Sequence, residues 1–330
     1  NIVVSLDKYG FRTNPYLSES KEQKKCILLL GSSAAFGNGS SSDKTTISSQ
    51  INKKLGINFN VYNLSVPSWN SRQELISYLN FLNLGLIDSC SEINTISFTG
   101  TADLNNINFS KKSKLYNDNF TRSELLNSPE QYHILEKKVD FATSFDSGMR
   151  YKMKTLFKEI IELSFGNIIN FLNNTEIKLK RVNEISESDK SFIRSQINSF
   201  IINQKIIYNI TENKKGNHLV VLQPNLRNSN SKNKIWNYAN KYLSSQIKDE
   251  CLKVLDLRLY LTDKKIKFKK TNNEMIISLK ESVKKGYFEK NSIKNYYFFD
   301  NSHLTDSGYQ LISEKIINNF NNNKKPCSEI

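Results

Sequence analysis

The chain has 330 residues, 38% of them hydrophobic, which is enough to build a large core in one domain or two. No apolar run in it is as long as a membrane-spanning helix. The formal net charge of +15 allows an acidic partner. The lysines are spread along the chain without an accompanying nucleic-acid motif, however, so we predict no nucleic-acid partner.

Strands and helices alternate through the first hundred residues. Apolar runs predict strands at about 26–31, 59–64 and 93–98. Between them, one helix is predicted from an N-cap at Asp43 to a closing glycine at Gly56, and another from Arg72 to Leu84. Each strand ends in a polar turn. This alternation predicts an α/β fold with a right-handed parallel sheet, whose ligands bind at the carboxyl ends of the strands.

The pattern continues less regularly in the rest of the chain, where residues 104–145 fit no element. The predicted helices are 147–174, about 188–213, 232–247, about 273–285 and 306–320, and the predicted strands are 218–223 and 252–257. We interpret residues 1–24 as a lead-in and residues 25–325 as a single domain. A helical insertion interrupts that domain at about 140–215.

The four cysteines contain no Cys-x-x-Cys pair, so the sequence predicts no zinc site. Cys26 and Cys251 stand at the starts of apolar runs, as small core residues often do. The sequence leaves a single disulfide open. It has no His-Glu-x-x-His motif, no acidic calcium loop and no phosphate-binding loop. We therefore predict neither a metal nor another cofactor.

Two segments far apart in the chain supply candidate catalytic residues. Ser33 follows the first strand in the turn Gly31-Ser32-Ser33, and His303 stands three residues after Asp300. An Asp can orient an imidazole, which can then take a proton from a serine. Serines are also common in ordinary strand-to-helix turns. Only one of the three histidines lies in an Asp-x-x-His pattern, and this favours the catalytic interpretation.

The turns resemble, in order, the sequence blocks of the SGNH/GDSL hydrolase family. Gly31-Ser32-Ser33 is similar to block one of bacterial envelope members, and Asn63-Leu64-Ser65 to block two, with Ser65 in place of glycine. Gly100-Thr101-Ala102-Asp103 is similar to block three, with Ala102 in place of asparagine, and Asp300 to His303 match the last block. The resemblance spans about residues 24–320. It implies a three-layer α/β/α flavodoxin-like fold.

The resemblance also implies roles for these residues. Ser33 would attack an ester carbonyl, His303 would act as the base, and Asp300 would hold the imidazole. Backbone amides of Ser33 and Ser65 would bind the oxyanion.

The block-three residues Gly100 and Ala102 complete the implied oxyanion and substrate-binding set. Ala102 offers no side-chain donor there, and losing one such donor typically costs about 10²–10³ in kcat. Asn70, Asn105 and Thr101 are candidate replacements for that donor.

The resemblance implies ester hydrolysis, or transfer of an acyl group such as acetyl, on an O-acylated carbohydrate or another small ester. Two alternatives stay open: a catalytically silent glycan-binding protein, and a lipase or thioesterase acting on longer acyl chains. The resemblance implies a location in the bacterial cell envelope or outside the cell. An N-terminal membrane anchor preceding residue 1 and a cytoplasmic location both stay open, and the sequence predicts no oligomeric state.

Overall fold

The computed structural model describes residues 4–18, 22–112, 185–225, 234–248, 252–261, 265–270, 273–278, 297–298 and 302–320. The chain divides into two compact units, one formed by Asn1–Asp118 with Glu187–Ile330 and the other by Asn119–Ser186. The predicted helix at 147–174 and most of the predicted insertion lie outside the described residues. Apart from residues 185–186, the described residues belong to the first unit.

Helices and strands alternate along the described chain. They are β1 (Lys24–Gly31), α1 (Ser33–Phe36), α2 (Ile47–Leu55), β2 (Phe59–Asn63), α3 (Ser71–Asn83), β3 (Cys90–Thr99), α4 (Thr101–Lys112), α5 (Glu187–Asn213), β4 (His218–Leu222), α6 (Lys234–Gln246), β5 (Val254–Asp256), β6 (Lys265–Lys270), β7 (Asn273–Ser278) and α7 (Asp306–Phe320). Short 3-10 turns lie at Asp43–Thr45 and Leu86–Ser89. Within these ranges, no helix combines the length and apolar character needed to cross a membrane.

Five strands form one parallel sheet in the order β2-β1-β3-β4-β5. This confirms the predicted parallel α/β fold, and the strand order is that of flavodoxin-like proteins. The chain first adds β2 on one side of β1 and then β3 on the other. The crevice at the carboxyl ends of β1 and β3 is therefore the place where open α/β sheets bind ligands.

Strand β1 is buried on both faces, which explains its continuous apolar sequence. Ile27 and Leu29 lie in a core with residues of α2 and α7, such as Ile47 and Ile312. Leu28 and Leu30 lie in a second core with residues of α3 and α5, among them Tyr78, Phe81 and Ile207. Helices thus cover both faces of the sheet. Helix α5 belongs to this architecture, although its residues fall within the predicted insertion.

The helix predicted from Asp43 begins later than expected. Asp43 lies in a 3-10 turn, and α2 starts at Ile47 with Thr46 as its N-cap. The Thr46 hydroxyl accepts the Ser49 amide at 3.3 Å, so this cap is made by the side chain nearest the true helix start. The prediction that Gly56 closes the helix is confirmed, since its φ is +76°.

The helix predicted at about 273–285 is wrong for the part that the structure describes. Residues Asn273–Ser278 form β7, which pairs antiparallel with β6. The apolar run there contains the adjacent β-branched residues Ile276 and Ile277, which favour strands over helices. Residues 279–285 lie outside the description.

A disulfide joins Cys26 of β1 to Cys90 at the start of β3, with the Cα atoms 5.5 Å apart. Cys26 is fully buried, which confirms its prediction as a core residue. The disulfide ties β1 to β3, the two strands on either side of the point where the strand order reverses. Cys251 and Cys327 lie outside the described residues.

Replacing Cys90 by Ser is expected to lower the free energy of unfolding by about 4 kcal/mol. The disulfide closes a loop of 64 residues, and opening that loop releases conformational entropy in the unfolded chain. Urea unfolding of both proteins without reductant measures the difference. Reductant should bring the wild type close to the variant. Equal unfolding midpoints without reductant would contradict the prediction.

Candidate active site

The turn after β1 can be formed only with glycine at residue 31. Gly31 has a φ of +151°, and a Cβ there would lie 2.4 Å from the Phe98 carbonyl oxygen and 2.5 Å from the Ala35 Cβ. The chain can therefore leave the sheet tightly and enter α1 at once. Ser33, the first residue of α1, is half-buried at the carboxyl end of β1.

The structure brings Ser33 together with His303. The His303 Nε2 atom lies 2.7 Å from the Ser33 Oγ atom, although the residues are 270 positions apart. His303 precedes α7, and its neighbour Leu304 forms a β-bridge with Phe298. At this distance a neutral imidazole can accept the serine proton as a general base. Asp300 lies outside the described residues, so its role stays a prediction.

Asn63 and Tyr309 hold the helix that carries Ser33. The Asn63 amide donates to the Ala35 carbonyl at 3.1 Å. The Tyr309 hydroxyl, on fully buried Tyr309, contacts the carbonyl oxygens of Ala34 at 2.9 Å and Asn38 at 2.7 Å. Both side chains act on the C-terminal end of a one-turn helix, where carbonyls have no helical partners. No local pattern marked Tyr309 for this task.

Asp306 connects the loop after Ser33 to the helix after His303. Its carboxylate accepts the backbone amide of Ser41 at 2.8 Å and also accepts the Ser41 hydroxyl. Asp306 is the first residue of α7, where a carboxylate is favoured by the helix dipole. The segments that carry Ser33 and His303 are thus joined at a second point beside the contact between these two residues.

Ser65, which was predicted to bind the oxyanion, is buried in contact with β1. Its backbone amide donates to the Asn63 Oδ1 atom and its hydroxyl donates to the Leu29 carbonyl, both at 3.2 Å. Among the described non-glycine residues, only Ser68 and Lys215 have positive φ, so Ser65 fits the glycine position of block two without backbone strain. In this state its amide already has a partner.

The block-three residues lie at the carboxyl end of β3, beside β1. Gly100 links β3 to α4 with a φ of +95°. Its carbonyl accepts the Leu104 amide at 3.1 Å. Ala102 lies half-buried in the first turn of α4. Asn70, a candidate replacement donor, caps α3 by accepting the Gln73 amide at 3.3 Å.

Asp103 joins the starts of α3 and α4. One of its oxygens, Oδ1, accepts the Ser71 hydroxyl at 2.7 Å and the Ser71 amide at 3.2 Å. The other oxygen is buried and has no hydrogen-bond partner among the described groups. Burial raises the pKa of the Asp103 carboxyl, and the bonds from Ser71 oppose that rise.

Glu74, which the sequence interpretation missed, is buried beneath the block-three turn and is 1% exposed. Burial, reinforced by the charge of Asp103, raises the pKa of the Glu74 carboxyl from 4.5 to about 8. Its Oε1 atom lies 2.5 Å from the Thr99 hydroxyl, and its Oε2 atom accepts from Gln204 at 3.3 Å. Glu74 is therefore largely protonated near neutral pH.

His218 continues this polar network on β4. Its Nε2 atom lies 3.1 Å from the Gln204 Oε1 atom and its Nδ1 atom lies 2.7 Å from the Thr95 hydroxyl. Burial lowers the pKa of the imidazole to about 3, so His218 is neutral. The prediction of a structural role for His218 agrees with these contacts. His133 lies outside the described residues.

The described residues contain no cluster of three or more His, Cys, Asp or Glu side chains that could hold a metal ion. The contact between Ser33 and His303 offers the chemistry of a serine and a histidine. These two residues alone can support nucleophilic attack on an acyl group.

Comparison with known proteins finds likeness in structure only: no family model matches the chain, and no curated protein matches it. Among solved structures it is similar to a two-domain esterase active on acetylated mannans, at 10% identity and a TM-score of 0.41, with 94% of this chain and 54% of that chain covered. It is also similar to a member of the lipolytic protein G-D-S-L family from Veillonella parvula DSM 2008, at 10% identity and a TM-score of 0.40, covering 89% of this chain and 97% of that one.

A third similar structure is an acetyl xylan esterase, at 11% identity and a TM-score of 0.38, covering 89% of this chain and 98% of that one. This chain thus spans about half the length of the two-domain esterase and nearly all of the other two.

Replacing Glu74 by Gln is expected to stabilise the protein increasingly as the pH rises from about 4.5 to about 8. In the unfolded chain Glu74 loses its proton near pH 4.5, whereas the folded protein keeps it up to about pH 8. The contribution of Glu74 to the stability of the wild type is therefore complete below the lower pKa and declines between the two, by about 1.4 kcal/mol per pH unit.

Urea unfolding of both proteins at about pH 5, 6.5 and 8 measures this gap. His218 also titrates between its folded and unfolded pKa values, but it is present in both proteins and its effect cancels. A gap that stays constant with pH would show that Glu74 is ionised in the folded protein.

Proposed function

We propose that the protein is a serine esterase of the SGNH/GDSL type, with Ser33 as the nucleophile and His303 as the general base. The observation that carries the proposal is the 2.7 Å contact between Ser33 Oγ and His303 Nε2. It lies at the carboxyl end of β1, where the strand order reverses. Asp300, in the intact last block, is assigned the orienting role.

The proposed reaction has two steps. Ser33 Oγ attacks the ester carbonyl while His303 takes the serine proton. The imidazolium then protonates the leaving alcohol, and an acyl-serine forms. In the second step His303 removes a proton from water or from a sugar hydroxyl, which attacks the acyl-serine. The imidazolium gives that proton to Ser33 Oγ as the bond to the acyl group breaks, and both residues return to their starting state. Water gives hydrolysis, and a sugar hydroxyl gives acyl transfer.

We propose an O-acetylated carbohydrate as the substrate class. The sequence blocks support this proposal, because they resemble those of bacterial envelope members of the family. Acetylated mannan, on which one of the similar esterases acts, is a direct test substrate. Release of free acetate indicates hydrolysis, whereas acetylation of an added oligosaccharide indicates acyl transfer.

A second candidate function is glycan binding without catalysis. Two observations favour it: Ala102 offers no side-chain donor to an oxyanion, and the Ser65 amide is already bonded to Asn63. A binding protein would retain acetylated oligosaccharides without releasing acetate, and its affinity would not change in the Ser33→Ala variant.

We also propose that the protein works in the cell envelope or outside the cell. The Cys26–Cys90 disulfide supports this location, because disulfides persist in oxidising compartments. Thiol labelling of the protein taken directly from its native source tests the proposal. A Cys26 thiol that is free in the native protein would contradict it.

The Ser33→Ala and His303→Ala variants are each expected to lower the turnover of p-nitrophenyl acetate by at least about 10³-fold, because the serine and histidine act as one unit. Asp300→Asn should reduce it as well. Release of p-nitrophenol measures the rate. The matched control is Ser32→Ala, which removes a neighbouring hydroxyl that makes no helix-capping bond and should retain most of the activity.

Two results would count against the esterase. If wild type and variants all match the buffer blank on aryl esters and on acetylated mannan, glycan binding becomes the better proposal. If the wild type turns over and His303→Ala does so equally well, a different base must act on the substrate.

A further inference from the structure

Arg12 reaches the nucleophile helix from the N-terminal segment. The segment runs beside the sheet, where Arg12 forms isolated β-bridges with Leu6 and Asn63. The Arg12 side chain is only 1% exposed. A buried guanidinium is costly unless its donors are paired, so its partners identify what it does.

The partners of Arg12 all belong to the stretch that follows Ser33. Its Nη1 atom donates to the carbonyls of Phe36 and Gly37, both at 3.0 Å. Its Nη2 atom donates to the Ser40 hydroxyl at 3.3 Å, and its Nε atom pairs with the Asp43 carboxylate at 3.0 Å. The guanidinium also lies 5.1 Å from the centre of the Phe36 ring.

The backbone is shaped to admit this guanidinium. Gly37 ends α1 with a φ of +101°, and a Cβ there would lie 2.9 Å from the Arg12 Nη1 atom. Helix α1 has only four residues, so its orientation depends on contacts at its ends rather than on its own length. A side chain fixed to its last carbonyls therefore fixes its first residue, which is Ser33.

We propose that Arg12 is a positioning residue for Ser33, which it holds against His303 by binding the carbonyls at the far end of α1. This role rests on the proposed function in one respect only, namely that the Ser33–His303 contact is catalytic. Lysine cannot fill it, because a single ammonium lacks the planar fork that reaches both carbonyls and Asp43.

The test compares Arg12→Ala and Arg12→Lys with the matched control Asn14→Ala. Asn14 lies in the same segment and is equally buried, but it donates to Asn52 at 3.0 Å and to the Val61 carbonyl at 2.8 Å. Its loss loosens the segment without touching α1. Arg12→Lys keeps the positive charge beside Asp43, and it replaces Arg12→Ala in the measurements if the alanine variant fails to fold.

The first readout is the split between kcat and KM for p-nitrophenyl acetate, at a temperature where every variant is folded. Both Arg12 variants should lose about 10- to 100-fold in kcat with KM changed by less than about twofold, since a small misplacement of a reacting atom has this effect. Asn14→Ala should keep the wild-type kcat.

The second readout does not need turnover. Histidine-selective ¹⁵N NMR, with the His303 signal assigned from His303→Asn, reports the hydrogen bond to Ser33. The Arg12 variants should move the Nε2 signal toward its position in Ser33→Ala, and Asn14→Ala should leave it in place.

If the wild type lacks esterase activity and the Arg12 variants still shift the His303 signal, the proposed function fails and the positioning role stands. A wild-type His303 signal in both Arg12 variants overturns the positioning role. An equal shift in Asn14→Ala also overturns it, because the effect would then belong to the segment as a whole.

Discussion

The geometry of the candidate site depends on the carbonyl groups of a helix with a single turn. In a helix of four residues no carbonyl is bonded by an amide of the same helix, because the amide four residues later lies beyond its end. The carbonyls must therefore be bonded by the chain that follows or by other parts of the protein. Here the bonds come from amides after the helix and from three distant side chains. The pairs are Ser33 with Gly37 and Asn38, Ala34 with Gly37 and Tyr309, Ala35 with Asn63, and Phe36 with Arg12 and Asn63.

The opposite side of the sheet is organised by neutral polar groups. Glu74 and His218 are both titratable, yet burial keeps the first protonated and the second unprotonated near neutral pH. Gln204 of α5 bridges them, since its side-chain Nε2 atom donates to Glu74 and its Oε1 atom contacts the His218 Nε2 atom. Through these three side chains, helices α3 and α5 are hydrogen-bonded to β3 and β4. Asp103, which approaches Glu74 from α4, brings a carboxylate to the border of this network.

Local patterns predicted the parts of the fold that depend on a few adjacent residues. Short sequence patterns predicted three features: the apolar run of β1, the turn that exposes Ser33 and the loop that carries His303. No short pattern predicted the pairing of Cys26 with Cys90 or the contacts of Tyr309, because these contacts depend on which helices and strands become neighbours in the folded protein. The wrong helix around residue 273 had a local origin, since a short apolar run fits either period and only the β-branched pair Ile276 and Ile277 favoured a strand.

The wide spacing of the residues that hold α1 has a consequence for the order of assembly. Tyr309 is 275 positions from Ala34, Asn63 is 28 positions from Ala35, and Arg12 is 24 positions from Phe36. Contacts of such sequence separation form late, because long loops must close first. A chain in which α7 has not yet docked therefore lacks both Tyr309, which holds α1, and His303, which contacts Ser33. The surroundings of Ser33 are in this way completed only when segments far along the chain have joined the sheet.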